Sequence, residues 1–173
     1  MDGVRHLVVG LAGFAALAAV TSPAAAQDAV AELIDSKETP VGTAQLNQLD
    51  QGVQILIAVS GLPAGEHAIH IHETGECEPP FESAGDHFNP TDADHGWDNA
   101  QGPHAGDLPN IYLGEGELQV AFLTDKVTLE GEASLFDDDG SAIVIHQGLD
   151  DYQTEPSGDA GDRLACGVIE EGP

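Results

Sequence analysis

The chain has 173 residues, enough for one domain with its own hydrophobic core. Its formal net charge of −27 at pH 7, from 31 acidic and four basic residues, excludes nucleic acid and anionic membrane surfaces as partners. An acidic disordered chain is excluded too, because 41% of the residues are apolar and alternating patterns run through most of the sequence.

Arg5, the apolar run from Leu7 to Val20 and the small residues Ala24-Ala25-Ala26 follow the order of a secretory signal peptide. The apolar run is about 14 residues, short of the roughly 20 that a membrane-spanning helix needs. Residues 1–26 are therefore expected to be removed, leaving a domain at 27–173 that is exported to a periplasmic or extracellular space, with no membrane association after cleavage. Beyond residue 26 the only bases are Lys37, Lys126 and Arg163. The acid is spread along the chain, which reads as a solvated surface suited to high-salt surroundings, halophilic in character.

Period-two patterns then dominate, and helical periodicity is missing. Val53, Ile55, Ile57 and Val59 alternate with Gln54, Leu56, Ala58 and Ser60, and Gly61-Leu62-Pro63 stops the run. Ile69 and Ile71 alternate with His70 and His72. Further strands are expected at 29–36, 42–49, 119–123, 141–146 and 164–169, with turn chemistry at Asp50-Gln51-Gly52, Pro63-Ala64-Gly65 and Asp137-Asp138-Asp139-Gly140. Short strands at this spacing predict an antiparallel sandwich or barrel. Two polar segments, 73–108 and 147–162, break the rhythm and are long enough to be functional loops. Cys77 and Cys166 are the only cysteines, so export makes a single disulfide between them the default.

The histidines carry the chemistry. His70 and His72 stand two apart on a strand, so both rings leave one face while Ile69 and Ile71 enter the core. The long loop adds His87, His95, His104 and Asp107, three imidazoles and a carboxylate, which make a complete tetrahedral zinc set. His146 ends the strand Ala142-Ile143-Val144-Ile145-His146 far away in sequence. Seven ligands exceed one ordinary site. The economical division is two metals that share one ring: copper on His70, His72, His146 and the shared imidazole, zinc on the shared imidazole, His95, His104 and Asp107. His87 opens the zinc group and is the natural bridge.

At this point the sequence resembles a known family. Gly65-Glu66-His67-Ala68-Ile69-His70-Ile71-His72-Glu73 resembles the copper-strand motif of the copper/zinc superoxide dismutases, and Ser83-Ala84-Gly85-Asp86-His87-Phe88-Asn89-Pro90 is similar to their bridging-histidine motif. His95-Gly96, His104-Ala105-Gly106-Asp107-Leu108 and the segment from Asp159 to Ile169 resemble the zinc loop and the C-terminal signature. Cys77-Glu78-Pro79-Pro80-Phe81 and Asp150-Asp151-Tyr152 look bacterial rather than animal.

The resemblance implies an all-β fold, an eight-stranded antiparallel Greek-key barrel or immunoglobulin-like sandwich with two long functional loops. It implies one copper and one zinc per chain, with His70, His72, His87 and His146 on copper and His87, His95, His104 and Asp107 on zinc. It implies that Arg163 attracts and orients the superoxide anion beside copper, and that His87 takes part in catalysis as the bridge that releases and is protonated. By the same resemblance Asp150 would link a copper His to a zinc His, and His67 would support the copper strand. The Cys77–Cys166 disulfide would tie the metal loop to the strand behind Arg163. Oligomeric state is left open, a homodimer included.

The second long loop departs from the family pattern. Tyr152-Gln153-Thr154-Glu155 lacks the customary lysine, and Glu155 is expected to oppose an approaching anion together with Asp159 and Asp162. Trp97 follows His95-Gly96 where a small residue is expected, and reads as a packing residue. The rival reading is a non-catalytic, exported copper-binding or delivery protein, which needs neither Arg163 nor the zinc set. A calcium loop at Asp137-Asp138-Asp139-Gly140 is excluded because Gly148 stands where the closing carboxylate belongs. A hydrolase using zinc-activated water is disfavoured because protein fills all four zinc positions.

Overall fold

Alternation along the sequence becomes a curled antiparallel sheet. In the computed structural model, which describes residues 28–131 and 133–173, the strands are β1 (Ala29–Asp35), β2 (Pro40–Leu49), β3 (Gly52–Val59), β4 (Gly65–His67), β5 (Ile69–His72), β6 (Ile111–Leu113), β7 (Leu118–Thr124), β8 (Ala142–His146) and β9 (Arg163–Glu171). The expected signal peptide lies outside the described residues. Val53, Ile55, Ile57 and Val59 are buried and the residues between them only half-buried, so β3 presents one face to the core as its sequence predicts. Among the described residues the sole helical element is the one-turn 3₁₀ segment Glu82–Ala84.

Seven strands form one sheet in the order β5-β8-β9-β1-β2-β3-β7, and β4 pairs with β6 in a second small sheet. All the strand pairs are antiparallel. Only Ala68 separates β4 from β5, and it keeps the chain paired: its N–H donates to Gly148 and its carbonyl accepts from His146. The two are thus one bent strand that changes partner from β6 to β8, and counting them together gives the expected eight. The non-sequential neighbours β3–β7, β5–β8 and β9–β1 are the crossovers of a Greek key. The expectations missed β6 and β4 because three-residue strands are too short for an alternation to register.

The main core holds Leu33, Leu46, Ile55, Ile57, Ile69, Ile71, Ile143 and Ile145, among others. A second, small core lies on the other face of β8, where Ala142 and Val144 meet Phe81, Ala84 and Cys166. Strand β8 is therefore buried on both faces, which explains its unbroken apolar run.

Candidate metal centre

On β5 the period of two sends Ile69 and Ile71 into the main core and His70 and His72 to the opposite face. That face would meet water if the sheet ended there. Instead segment 73–108 folds back along β5: Phe88 N–H donates to Ile71 O at 2.9 Å, Ile71 N–H to Gly106 O at 2.9 Å, and Gly106 N–H to Phe88 O at 2.8 Å. Gly106 is needed for this approach, because a Cβ there would collide with the Ile71 carbonyl oxygen. The loop thereby carries His87 opposite His72 and Asp107 opposite His70, and His146 arrives from the end of neighbouring β8.

Two four-residue groups result, and they share His87. Donor atoms of His70, His72, His87 and His146 lie within 4.8 Å of one another, as do those of His87, His95, His104 and Asp107. All seven side chains are buried. Hydrogen bonds fix which ring nitrogen faces inward. His72 Nδ1 donates to Gly85 O at 3.0 Å and His146 Nδ1 to Gly161 O at 3.2 Å, leaving their Nε2 atoms 3.4 Å apart. His70 donates through Nε2 to Asp150 Oδ2 at 2.8 Å, which turns Nδ1 inward.

In the second group Asp107 Oδ1 lies 2.9, 3.2 and 3.4 Å from the Nδ1 atoms of His87, His95 and His104. His104 Nδ1 is 3.4 Å from His87 Nδ1. Tetrahedral ligands about 2.0–2.1 Å from a zinc ion stand about 3.3–3.4 Å from each other, so these spacings already suit that ion. Asp107 Oδ2 accepts the backbone N–H groups of Gly96 and His104, which aims Oδ1 at the rings. Asp150 joins the two groups, with one oxygen on His70 and the other on His95 Nε2 at 2.9 Å.

Buried His70 Nδ1, His87 Nε2 and His95 Nδ1 have no hydrogen-bond partner among the described residues. Leaving a buried ring nitrogen unsatisfied is costly, and each of these points into one of the two groups. The donor chemistry thus fits copper on four imidazoles and zinc on three imidazoles and a carboxylate, as expected from the sequence.

Electrostatics divide the rings. Burial holds His70 below its ordinary range and His72 well below it; it lowers His87 to about 4 and His146 to about 3, with neighbouring rings adding to the effect. Burial also disfavours the cation at His95, but the Asp107 and Asp150 carboxylates outweigh it and push this ring up to about 9. Asp107 and Asp150 are themselves buried, which opposes their charge, yet the imidazoles around them hold both carboxyls well below the usual range.

A cavity of about 950 Å³ opens onto His72, His87, His104 and His146 and is lined by Arg163. Arg163 starts β9, and its guanidinium donates to Phe81 O at 2.6 Å and Gly85 O at 2.7 Å. Both partners are neutral, so its charge remains available to whatever enters. Cys77 is bonded to Cys166 three residues further along the strand, as the sequence led us to expect.

His67 has Nδ1 2.7 Å from His146 O and Nε2 2.9 Å from Pro63 O. Trp97 packs edge-on against Tyr152, with ring centroids 5.1 Å apart, while staying partly exposed. Glu155 corrects an expectation: its carboxylate accepts the His95 backbone N–H at 2.7 Å, and neither it nor Asp159 lines the cavity. The wrong-sign residues at the mouth are instead Glu73, Glu82, Asp86, Asp92 and Asp162.

Sequence reasoning missed Phe81. Its ring is fully buried in the small second core, and its backbone has φ of +75°, a left-handed conformation uncommon for a bulky residue. The signal available was an aromatic residue between Pro80 and Glu82 in a largely polar loop.

Residues 41–169 match the family model described as copper/zinc superoxide dismutase (SODC). The chain is 51% identical to superoxide dismutase [Cu-Zn] 2 of Aquifex aeolicus and 47% identical to its superoxide dismutase [Cu-Zn] 1, each over 80% of this chain and 84% or 85% of the relative. A crystal structure of a superoxide-dismutase-like protein from Bacillus subtilis superposes with a TM-score of 0.77 at 39% identity, covering 80% of this chain and 96% of that one. With two donor groups meeting at one histidine and a family match that spans most of its length, this chain belongs to the copper/zinc superoxide dismutase family.

Proposed function

We propose that the protein disproportionates superoxide: two superoxide anions and two protons become one dioxygen and one hydrogen peroxide. The observation that carries this reading is the pair of four-donor groups sharing His87 beside an open cavity that Arg163 lines. When bound, copper on His70, His72, His87 and His146 supplies a one-electron couple, and zinc on His87, His95, His104 and Asp107 supplies a fixed charge without redox chemistry.

The chain's own residues do the rest. Arg163, held by two carbonyls, binds and orients the anion. His87 lines the cavity and its Nε2 is buried and unpartnered, and this is the atom that holds a proton for the peroxide product. Asp150 fixes His70 and His95 in one orientation, and His67 clamps the end of β8. A copper carrier would need neither the closed zinc group nor Arg163 in the cavity. We place the mature domain at 27–173 after removal of a signal peptide at 1–26, in the periplasm or outside the cell. The disulfide supports that setting.

Elemental analysis should find one copper and one zinc per chain, with rapid loss of superoxide in a pulse or stopped-flow assay. His87→Ala should weaken both sites, and Asp107→Ala chiefly zinc. A protein that holds zinc but has no capacity for copper would sink the reading.

A further inference from the structure

The copper-side rings are nearly sealed: relative exposures are 0% for His70, 1% for His72, 4% for His87 and 3% for His146. Three of the four line the same cavity, so an ion reaching this group passes its mouth. That mouth carries five exposed carboxylates, Glu73, Glu82, Asp86, Asp92 and Asp162, against one cationic side chain, Arg163. The balance is wrong for gathering an anion and right for gathering a cation. His87, which lines the same cavity, carries a second feature that asks for a metal, a buried Nε2 with no hydrogen-bond partner.

We propose that the acidic mouth is a capture surface for copper, drawing the cationic metal from solution and passing it inward to the four-nitrogen group. The inference rests on the reading of His70, His72, His87 and His146 as the copper site, and assigns a purpose to carboxylates which that reading leaves unused. The metal must enter once in the life of the protein, whereas the substrate enters at every turnover. A surface that favours the first therefore slows the second, and Arg163, held by two neutral carbonyls, retains the anion locally. Clefts lined by one sign of charge raise encounter rates by about 10- to 1,000-fold, and salt abolishes the gain.

The test is loading kinetics of the zinc-containing, copper-free protein, mixed with Cu(II) and followed by the visible absorption of the bound metal. Wild-type loading should slow about tenfold or more as sodium perchlorate rises from 0.01 to 0.5 M. The combined variant Glu73→Gln, Glu82→Gln, Asp86→Asn, Asp162→Asn should load about tenfold more slowly at low salt, yet reach the same one copper per chain. A control with Glu32, Asp137, Asp138 and Glu170 neutralised, all outside the cavity, should load like wild type. If the rim variant does not fold, Glu82→Gln and Asp162→Asn singly should each slow loading by a smaller factor.

Salt-independent loading, or equal slowing by rim and control variants, overturns the proposal. A final stoichiometry of zero copper in wild type would instead reject the site assignment on which it rests, so the two failures are distinguishable.

Discussion

Zinc should enter the metal-free protein by displacing a proton from His95, and the structure sets the size of the effect. Burial works against the His95 cation, but Asp107 and Asp150 more than compensate and raise the ring to about 9. At pH 7 such a ring is about 99% protonated, two units below its midpoint. A metal ligand must be unprotonated, so binding releases that proton. His87, lowered to about 4 by burial, is already neutral and gives up none. Apparent zinc affinity should therefore climb about tenfold per pH unit near pH 7, by about 50-fold in all between pH 7 and 9, and then level off at about 100-fold as far as His95 is concerned. Calorimetry at pH 7 in buffers of different ionisation enthalpy should count about one proton released per zinc. Asp150→Asn removes one of the two carboxylates and should flatten the slope. The sign for stability follows: a raised pKa stabilises the metal-free fold fully below about 6.5, and this contribution disappears as pH rises through about 9. Melting of the metal-free protein should thus fall across that window while the zinc-loaded form holds. Zinc affinity independent of pH from 7 to 9, with no proton released, would refute this account of His95.

Four further outcomes are expected. Cys77→Ser opens a loop with a sequence separation of 89 residues, for which chain entropy gives an upper estimate of about 4.6 kcal/mol; denaturant titration measures the loss, and thiol titration of the unreduced wild type should find no free thiol. Phe81→Ala should cost about 3–5 kcal/mol by analogy with other buried aromatics, and should weaken azide binding at the copper site while copper content holds. Glu155→Ala should lower zinc affinity about 10- to 100-fold, the usual cost of losing a support behind a ligand, as read by chelator competition. Superoxide consumption and melting temperature should both rise, or at least hold, between 0.01 and 1 M salt, as the Debye length shrinks from about 30 to about 3 Å; a steep fall in the rate with metals still bound would reveal an attractive funnel.

Most of the site was legible because metal ligation leaves discrete residues at fixed spacings. A His two positions from another on an alternating strand must share its face, and His70 and His72 do. The zinc group was readable for a similar reason, since His87, His95, His104 and Asp107 occupy one loop. Supports that act through the backbone left no comparable trace. Phe81 matters through its carbonyl oxygen, and any residue has one; only the buried ring and the left-handed backbone show why this position aims it at Arg163. Glu155 was misread because sequence gives the sign of a charge without its direction. Its carboxylate turns toward the His95 N–H, and the negative mouth is built from residues scattered over 73–92 and at 162.

The arrangement also explains how a marginal fold keeps seven polar side chains out of water. Each buried group that lacks a partner destabilises the metal-free chain by about 1–3 kcal/mol, and His70 Nδ1 and His87 Nε2 are in that state. The loops that carry them are therefore tied at several independent points. Segment 73–108 is paired to β5, closed by the Cys77–Cys166 bond and anchored by Phe81 in the second core. Segment 147–162 is tied to it through Asp150, Glu155 and the bond from Asp98 N–H to the Tyr152 carbonyl at 3.0 Å. Gly96 lets these two segments touch, since with φ of +83° its backbone lies directly against the Tyr152 carbonyl, where a Cβ could not fit. Rigid ties of this kind hold donors at metal spacing before any ion arrives. Binding then relieves the unsatisfied nitrogens and stabilises the fold in the same step.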